Sequence, residues 1–202
     1  MSGFVCRIGL ALAILISFSG NSLNGKNGFQ DGQLLVANPN MADPRFFKSV
    51  IYICRHDSSG ALGFILNKPA GRLARSLLMK SLGMETSHLK DIGDVAVRFG
   101  GPLEPNSIFL MYPEQDTREE NICERDGIAV TNDKETLKML VSKKSTEELV
   151  LFMGYAGWFS GQLENELRRS DWITVPADQS ILFDKDHKTL WTRARARQGI
   201  NL

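Results

Sequence analysis

Six polar residues beside glycine or proline turns are the positions at which this sequence could do chemistry: Asp43, Arg45, His56, Asn67, Gln162 and Glu164. Histidine is the side chain that changes charge between about pH 5 and 8. His56 is the one histidine close to a turn dense in polar groups, the Asp57-Ser-Ser-Gly60 stretch. It reads first as a strand-end residue bonded to a loop, and second as an acid-base or ligand contact. The other five residue types most often serve as turn or cap residues, and become a site only where several converge in one cleft. All six are candidates for binding a ligand or partner. None stands in a pattern that would mark it as catalytic.

Three familiar chemistries fail on spacing. The three histidines, His56, His88 and His187, are far apart, and Cys54-Arg-His56 offers two ligands where a structural zinc site takes four, so no metal is expected. Gly154, Gly157 and Gly161 lie between an apolar run and a helical pattern, an order that can bind phosphate at a helix N-terminus. There is no G-x-G-x-x-G and no G-K-[ST], and Tyr155 and Trp158 hold positions that a pyrophosphate would need small. The turn therefore reads as packing, and no cofactor is expected. Ser160 has Gly157 three before it and Gly161 one after, unlike a nucleophile elbow, and reads as a helix N-cap.

The elements that must hold these residues follow from hydrophobic patterning. Leu149 to Met153 is an unbroken apolar run, expected as a strand buried on both faces, followed by a tight glycine turn and a helix carrying Leu163 and Leu167 on one face. Earlier strands are expected at Gln33 to Ala37, Ser49 to Cys54, Ala61 to Leu66, Val95 to Phe99, Ser107 to Tyr112 and Gly127 to Thr131, with the second and third of these forming a hairpin. Leu73, Leu77 and Leu78 predict a helix ending near Gly83. Glu114 to Glu124 reads as a charged loop, and Asn132 with Glu135 as a capping box. Trp172 to Val175 and the short run Ile181 to Phe183 precede a final helix with Leu190, Trp191 and Ala194. Antiparallel hairpins followed by a β-α-β unit predict an α+β domain with a mixed, mostly antiparallel sheet and flanking helices.

Composition narrows the function classes. The chain has 202 residues, 43% hydrophobic and 23% charged, enough for one sizeable core. Its net charge of +1 gives no field that would draw nucleic acid, and the basic pairs Lys143-Lys144 and Arg168-Arg169 and the Arg193, Arg195, Arg197 series read as solvated helix ends. Cys6, Cys54 and Cys123 are odd in number with no CxxC, which argues for reduced thiols in a cytoplasmic protein. Arg7 followed by the apolar run Ile8 to Ile16 and small residues gives residues 1–20 the outline of a signal peptide. A non-native start or disordered extension ranks ahead of a cleaved export signal, and stable membrane insertion ranks last because the run is shorter than the ~20 residues a span needs. Residues 1–31 are expected to lie outside the fold, with the domain running from residue 32 to residue 202.

Several segments match a family pattern in order: Gly32-Gln-Leu-Leu-Val-Ala-Asn-Pro39, Asp43-Pro-Arg-Phe46 with Ser49-Val-Ile-Tyr52, Gly63-Phe-Ile-Leu-Asn67, Gly100-Gly-Pro102, Gly154-Tyr-Ala-Gly-Trp158 with Gly161-Gln-Leu-Glu164, and Trp172. Together they closely resemble the bacterial YqgE/AlgH family. The resemblance implies a bifurcated, partly barrel-like sheet and carries a transcriptional-regulator label, with no catalytic residues to transfer. A non-enzymatic regulatory or binding protein with a protein partner is the expectation, and an enzyme acting on a small molecule in a cleft near the Gly154–Glu164 turn is the alternative. Direct DNA binding ranks lowest, since no helix-turn-helix is visible.

Overall fold

The computed structural model describes residues 28–87, 92–114, 120–143 and 148–198. Strands β1 (Gln33–Ala37), β2 (Val50–Asp57) and β3 (Gly60–Ile65) come first, then β4 (Pro69–Ala74) and helix α1 (Arg75–Ser81). Strands β5 (Asp94–Phe99), β6 (Leu103–Pro113), β7 (Asn121–Arg125) and β8 (Ile128–Thr131) lead to α2 (Lys134–Ser142). The chain continues through β9 (Val150–Phe159), α3 (Gln162–Arg168), β10 (Trp172–Pro176), α4 (Gln179–Leu182) and α5 (Leu190–Ala196).

Strand β9 is where the sheet forks. One of its edges pairs antiparallel with β6. The other edge is shared: Val150 to Met153 pair in parallel with β5, and Ala156 to Phe159 pair antiparallel with β3. Gly154 sits at the division with φ of +68°, and a Cβ there would lie 2.6 Å from the carbonyl oxygens of Gly101 and Leu103, so only glycine fits. Along the main path the strand order is β10-β1-β2-β3-β9-β6-β8-β7, with β4 attached through β5. This is the expected α+β class, a single domain with a bifurcated sheet curled into a half-barrel.

The curl carries β7, at the end of the path, back against β2. There Cys54 and Cys123 form a disulfide across 69 residues of sequence, with their Cα atoms 5.5 Å apart. The expectation of reduced thiols is therefore corrected. An odd count with no motif spacing carries no information about two cysteines that meet only when a sheet closes on itself.

Burial explains why the strands read as continuous apolar runs. Alternate residues of the central strands, among them Leu34, Tyr52, Phe64, Phe109 and Phe152, fill the barrel interior against Leu182, Leu190 and Ala194 of α4 and α5. Phe64 is the hub, with ring centroids 5.2 Å from Phe109 and 5.1 Å from Phe152. On the far side of the β5–β9–β6–β8 region, α1 and α2 cover Leu110, Tyr112 and Leu151. A third cluster, with Ile51, Ile65, Trp158 and Trp172, is sealed by Leu163 of α3. With both faces covered, the period-2 alternation of a half-exposed strand disappears.

Several local expectations change. Gly154 to Phe159 is strand, because those glycines serve the fork and the turn comes only at Ser160-Gly161. Leu73 belongs to β4, so the helix begins two residues later and buries Leu78 and Met79. The Asn121–Arg125 part of the charged loop is strand β7, ordered by pairing with β8. The cap of α2 is Asp133, whose side chain accepts from the Thr136 backbone N–H, so Asn132 is not the capping residue. Ile181 lies in the short helix α4. The last strand, β10, follows α3 but pairs antiparallel with β1, so β9, α3 and β10 do not form a β-α-β unit of adjacent strands.

Candidate functional site

Helix α3 starts from a left-handed residue, Gly161, with φ of +72° and ψ of −4°. Ser160, expected as the N-cap, instead donates its hydroxyl to the Ser58 carbonyl at 2.7 Å and ties this turn to the β2–β3 hairpin. Gln162 takes over part of the capping work: its Oε1 accepts from the Phe159 backbone N–H at 3.1 Å. Its Nε2 donates at 2.9 Å to Oε1 of Glu166, one helical turn on. Oε2 of Glu166 accepts from two indoles, Trp158 Nε1 and Trp172 Nε1, each at 2.8 Å. A carboxylate with both oxygens engaged thus locks α3 onto β9 and β10.

Above this network lies a groove of about 580 Å³. Its lining includes Gly60, Gly157, Trp158 and Glu166, with Tyr155, Leu103 and Phe159 among its apolar residues. Leu103 is 43% exposed and Phe159 85% exposed. Three arginines stand around it, each beside an aspartate: Arg45 with Asp43 at 2.7 Å, Arg169 with Asp171 at 2.7 Å, and Arg55 with Asp57 at 3.8 Å. Arg45 holds the Asp43 carboxyl below the usual range by hydrogen bonding to it. Burial, then the neighbouring Glu104 carboxylate, pushes the Tyr155 hydroxyl up. The loop bearing Arg45 is pinned by Lys68 Nζ, which donates to the Arg45 carbonyl.

The sequence candidates divide into three groups. Asp43, Arg45 and Gln162 line the groove. His56 and Glu164 find each other at the side of α3, with Nε2 and Oε1 3.1 Å apart, and neither lines the groove. The Gln30 backbone N–H donates to Nδ1 of His56 at 2.9 Å, so Nδ1 is the acceptor nitrogen and Nε2 carries the proton toward Glu164. Phe29 packs its ring edge-on to the imidazole at 5.0 Å, and the His56 side chain is 0% exposed. Asn67 clamps the Lys48–Val50 turn, its Oδ1 accepting from the Val50 N–H at 2.9 Å and its Nδ2 donating to the Lys48 carbonyl at 2.8 Å.

Glu166, Arg169, Tyr155 and Phe159 are absent from the sequence candidates, yet they build much of the groove. One signal for Glu166 was present: two tryptophans near a helix need an acceptor for their indole N–H groups, and Gln162 and Glu166 are spaced to share a helix face. Among the described residues no three His, Cys, Asp or Glu side chains are grouped as a metal ion would require. No helix among them is long and apolar enough to cross a membrane. Chemically, the groove offers an apolar wall, exposed arginines and a carboxylate already saturated with donors, features suited to holding a chain segment.

Known proteins supply a further line of observation. Residues 34–202 match the profile of the family described as AlgH-like. A UPF0301 protein of Desulfotalea psychrophila is 35% identical over 182 residues, covering 90% of this chain and 94% of that one. Another, from Caulobacter vibrioides, is 39% identical over 174 residues, covering 85% and 88%. The solution structure of the AlgH protein from Pseudomonas aeruginosa superposes with a TM-score of 0.70 at 31% identity, covering 87% of this chain and 92% of that one. A crystal structure of a protein from Corynebacterium diphtheriae gives a TM-score of 0.64 at 25% identity, covering 85% and 88%.

Proposed function

The chain belongs to the AlgH-like family, and on that premise we propose that it is a non-enzymatic regulatory protein that binds a partner protein in the groove between α3 and the Asp43–Arg45 loop. The observation that carries this reading is Phe159, 85% exposed in the lining of a groove to which Leu103 and Tyr155 also contribute. An exposed aromatic inside a rim of arginines is the composition of a protein-binding hot spot. Leaving so large an apolar side chain in water has a cost that a docked partner would relieve.

The charges support the same class of partner. Each rim arginine stands beside an aspartate, so the groove has no continuous positive stripe of the kind that follows a phosphate backbone. Regulation, in this reading, passes through a protein contact and not through DNA. An enzyme would need a free base or nucleophile, whereas both oxygens of Glu166 are engaged.

On location, the cytoplasmic expectation rests on unpaired thiols. With Cys54 bonded to Cys123, an oxidising compartment is the better assignment, and it agrees with the export reading of residues 1–20.

The test pairs Phe159→Ala with Arg169→Ala, both at exposed positions whose loss should leave folding within about 0.5 kcal/mol. Recovery of a defined partner on the tagged full chain from its own cells, and in-cell complementation, should both fall about tenfold or more, equivalent to about 1.4 kcal/mol of binding. Full complementation by both variants would exclude the groove. Loss of a turnover activity on a co-purified metabolite, with partner recovery intact, would instead select the small-molecule enzyme.

A further inference from the structure

Away from the groove, a second cavity of about 430 Å³ lies between β4, β5 and the segment that follows α4. Arg98 of β5 lines it while being only 2% exposed. Its Nη1 donates to the Leu182 carbonyl at 2.9 Å and its Nη2 to the Asp184 carbonyl at 2.8 Å, so its contacts are neutral main-chain oxygens. The Asp184 carboxylate is turned to Arg193, 2.5 Å away. Nε of Arg98 has no partner, and neither does Nδ1 of His187, which lines the same cavity. Burial brings the Arg98 guanidinium down to about 10, with Asp184 opposing, and also lowers His187, where the Arg98 charge acts second.

A buried cation whose neighbouring carboxylate, Asp184, is shared with Arg193 is costly to hold. The two main-chain acceptors explain Nη1 and Nη2 as a clamp on the end of α4, but they leave the Nε–H unanswered. Lys185 and Arg72 add two more cations to the lining, against one carboxylate, Asp94. That carboxylate is already next to Arg72, 3.5 Å from its Nε. Apolar residues on the Arg98 face of the sheet, Ala96 and Val150, and Phe183 complete the lining. The cavity therefore combines cationic and apolar lining, and its volume lies within the range of small-molecule sites and exceeds what a lone oxyanion fills.

We propose that this cavity binds a phosphate monoester of a small organic molecule, its phosphoryl group held by Arg98, Lys185 and His187 and its organic part against Phe183, Ala96 and Val150. A phosphoryl group supplies negative charge beyond the Asp184 carboxylate that Arg98 shares with Arg193, and acceptors for the Arg98 Nε–H and the lysine ammonium. His187 completes the set as a donor from its Nδ1.

The probe is glycerol 3-phosphate, titrated into the full chain at constant ionic strength beside inorganic phosphate and succinate. Binding is followed by the ¹⁵N-resolved Arg98 Nε–H resonance and by melting temperature. Arg98→Ala would strip the Leu182 and Asp184 carbonyls of their donor and so confuse folding with binding. Lys185→Ala and His187→Ala, both on the segment after α4, avoid that difficulty. The expected result is saturable movement of the Arg98 Nε–H signal, with affinity about tenfold or more weaker in each variant and unchanged melting temperature without ligand. Unsaturable titration, unchanged affinity in either variant, or equal binding of succinate would overturn the proposal. Equal affinity for inorganic phosphate would overturn the ester and leave a site for the free ion.

Discussion

Trp158 and Trp172 stand nearly edge to face, their ring centroids 6.2 Å apart at 77°, and both donate their indole N–H to the same oxygen of Glu166. One carboxylate thus fixes the relative position of two strands that are four places apart in the sheet. Replacing Glu166 by Ala leaves two half-buried donors without an acceptor, at about 1–3 kcal/mol each where water cannot substitute. We predict a loss of about 2 kcal/mol for Glu166→Ala and less than half of that for Glu166→Gln, whose amide oxygen still accepts. Urea denaturation of the two variants measures this directly. A Glu166→Ala change within 0.5 kcal/mol of wild type would show that the carboxylate is not a structural tie.

The Cys54–Cys123 bond closes the half-barrel between β2 and β7, where among the described residues no hydrogen-bonded strand pair does so. Cross-linking residues 69 apart constrains the unfolded chain, an effect of about 4 kcal/mol in the chain-entropy account. Cys123→Ser should lower stability by that order, and reductant should do the same to the wild type while leaving the variant unmoved. Maleimide labelling of protein taken from its own cells reports the compartment. Labelling of both residues without prior reduction would return the protein to a reducing compartment.

Residues 28–31, just ahead of β1, make specific contacts. Gln30 donates to His56, Phe29 packs on the same ring, and Asp31 pairs with Arg125. Deleting residues 1–27 should leave melting unchanged. Extending the deletion through residue 31 should cost about 1–2 kcal/mol, or roughly 2–8 °C in a domain of this length. Identical melting of the two truncations would place the fold boundary at Gly32.

Tyr52 points into the barrel interior, and burial, followed by the Asp126 carboxylate, pushes its hydroxyl up to about 12. Because the folded state holds the proton more tightly than the unfolded chain, this contribution is complete below pH 10 and is lost as pH rises toward 12. The shift corresponds to about 2–3 kcal/mol. Stability of the wild type should therefore fall more steeply over that interval than stability of Tyr52→Phe. Parallel curves for the two would show that Tyr52 ionises without hindrance.

The apolar runs at Leu34 to Ala37, Ile51 to Cys54 and Leu149 to Met153 were legible as strands, because every residue but Met153, 40% exposed, is buried and the composition says so. The turn at Asp57 to Gly60 was legible from residues that favour turns. The role of Gly154 was not. A glycine that lets two other strands approach looks, in one dimension, like a glycine that turns the chain. Strand β7 was hidden for a related reason, since Asn121, Glu124 and Arg125 are polar and their order comes from β8. Of the site, Asp43, Arg45 and Gln162 could be read from turn and cap chemistry. Glu166 could be found only by asking where two indole protons go, and Arg98 only from the three-dimensional burial of an ordinary strand residue.

The fork at β9 also sets a timetable for biosynthesis. Strands β3, β5 and β6 are all translated before it, and each has an edge that only β9 can satisfy. While residues 150–159 are still unmade, the nascent chain displays three unfilled edges of high apolar content, the state most prone to pairing with other chains. Folding is consequently postponed until about three-quarters of the chain is made, and β9 acts as the wedge that assembles the strands before it.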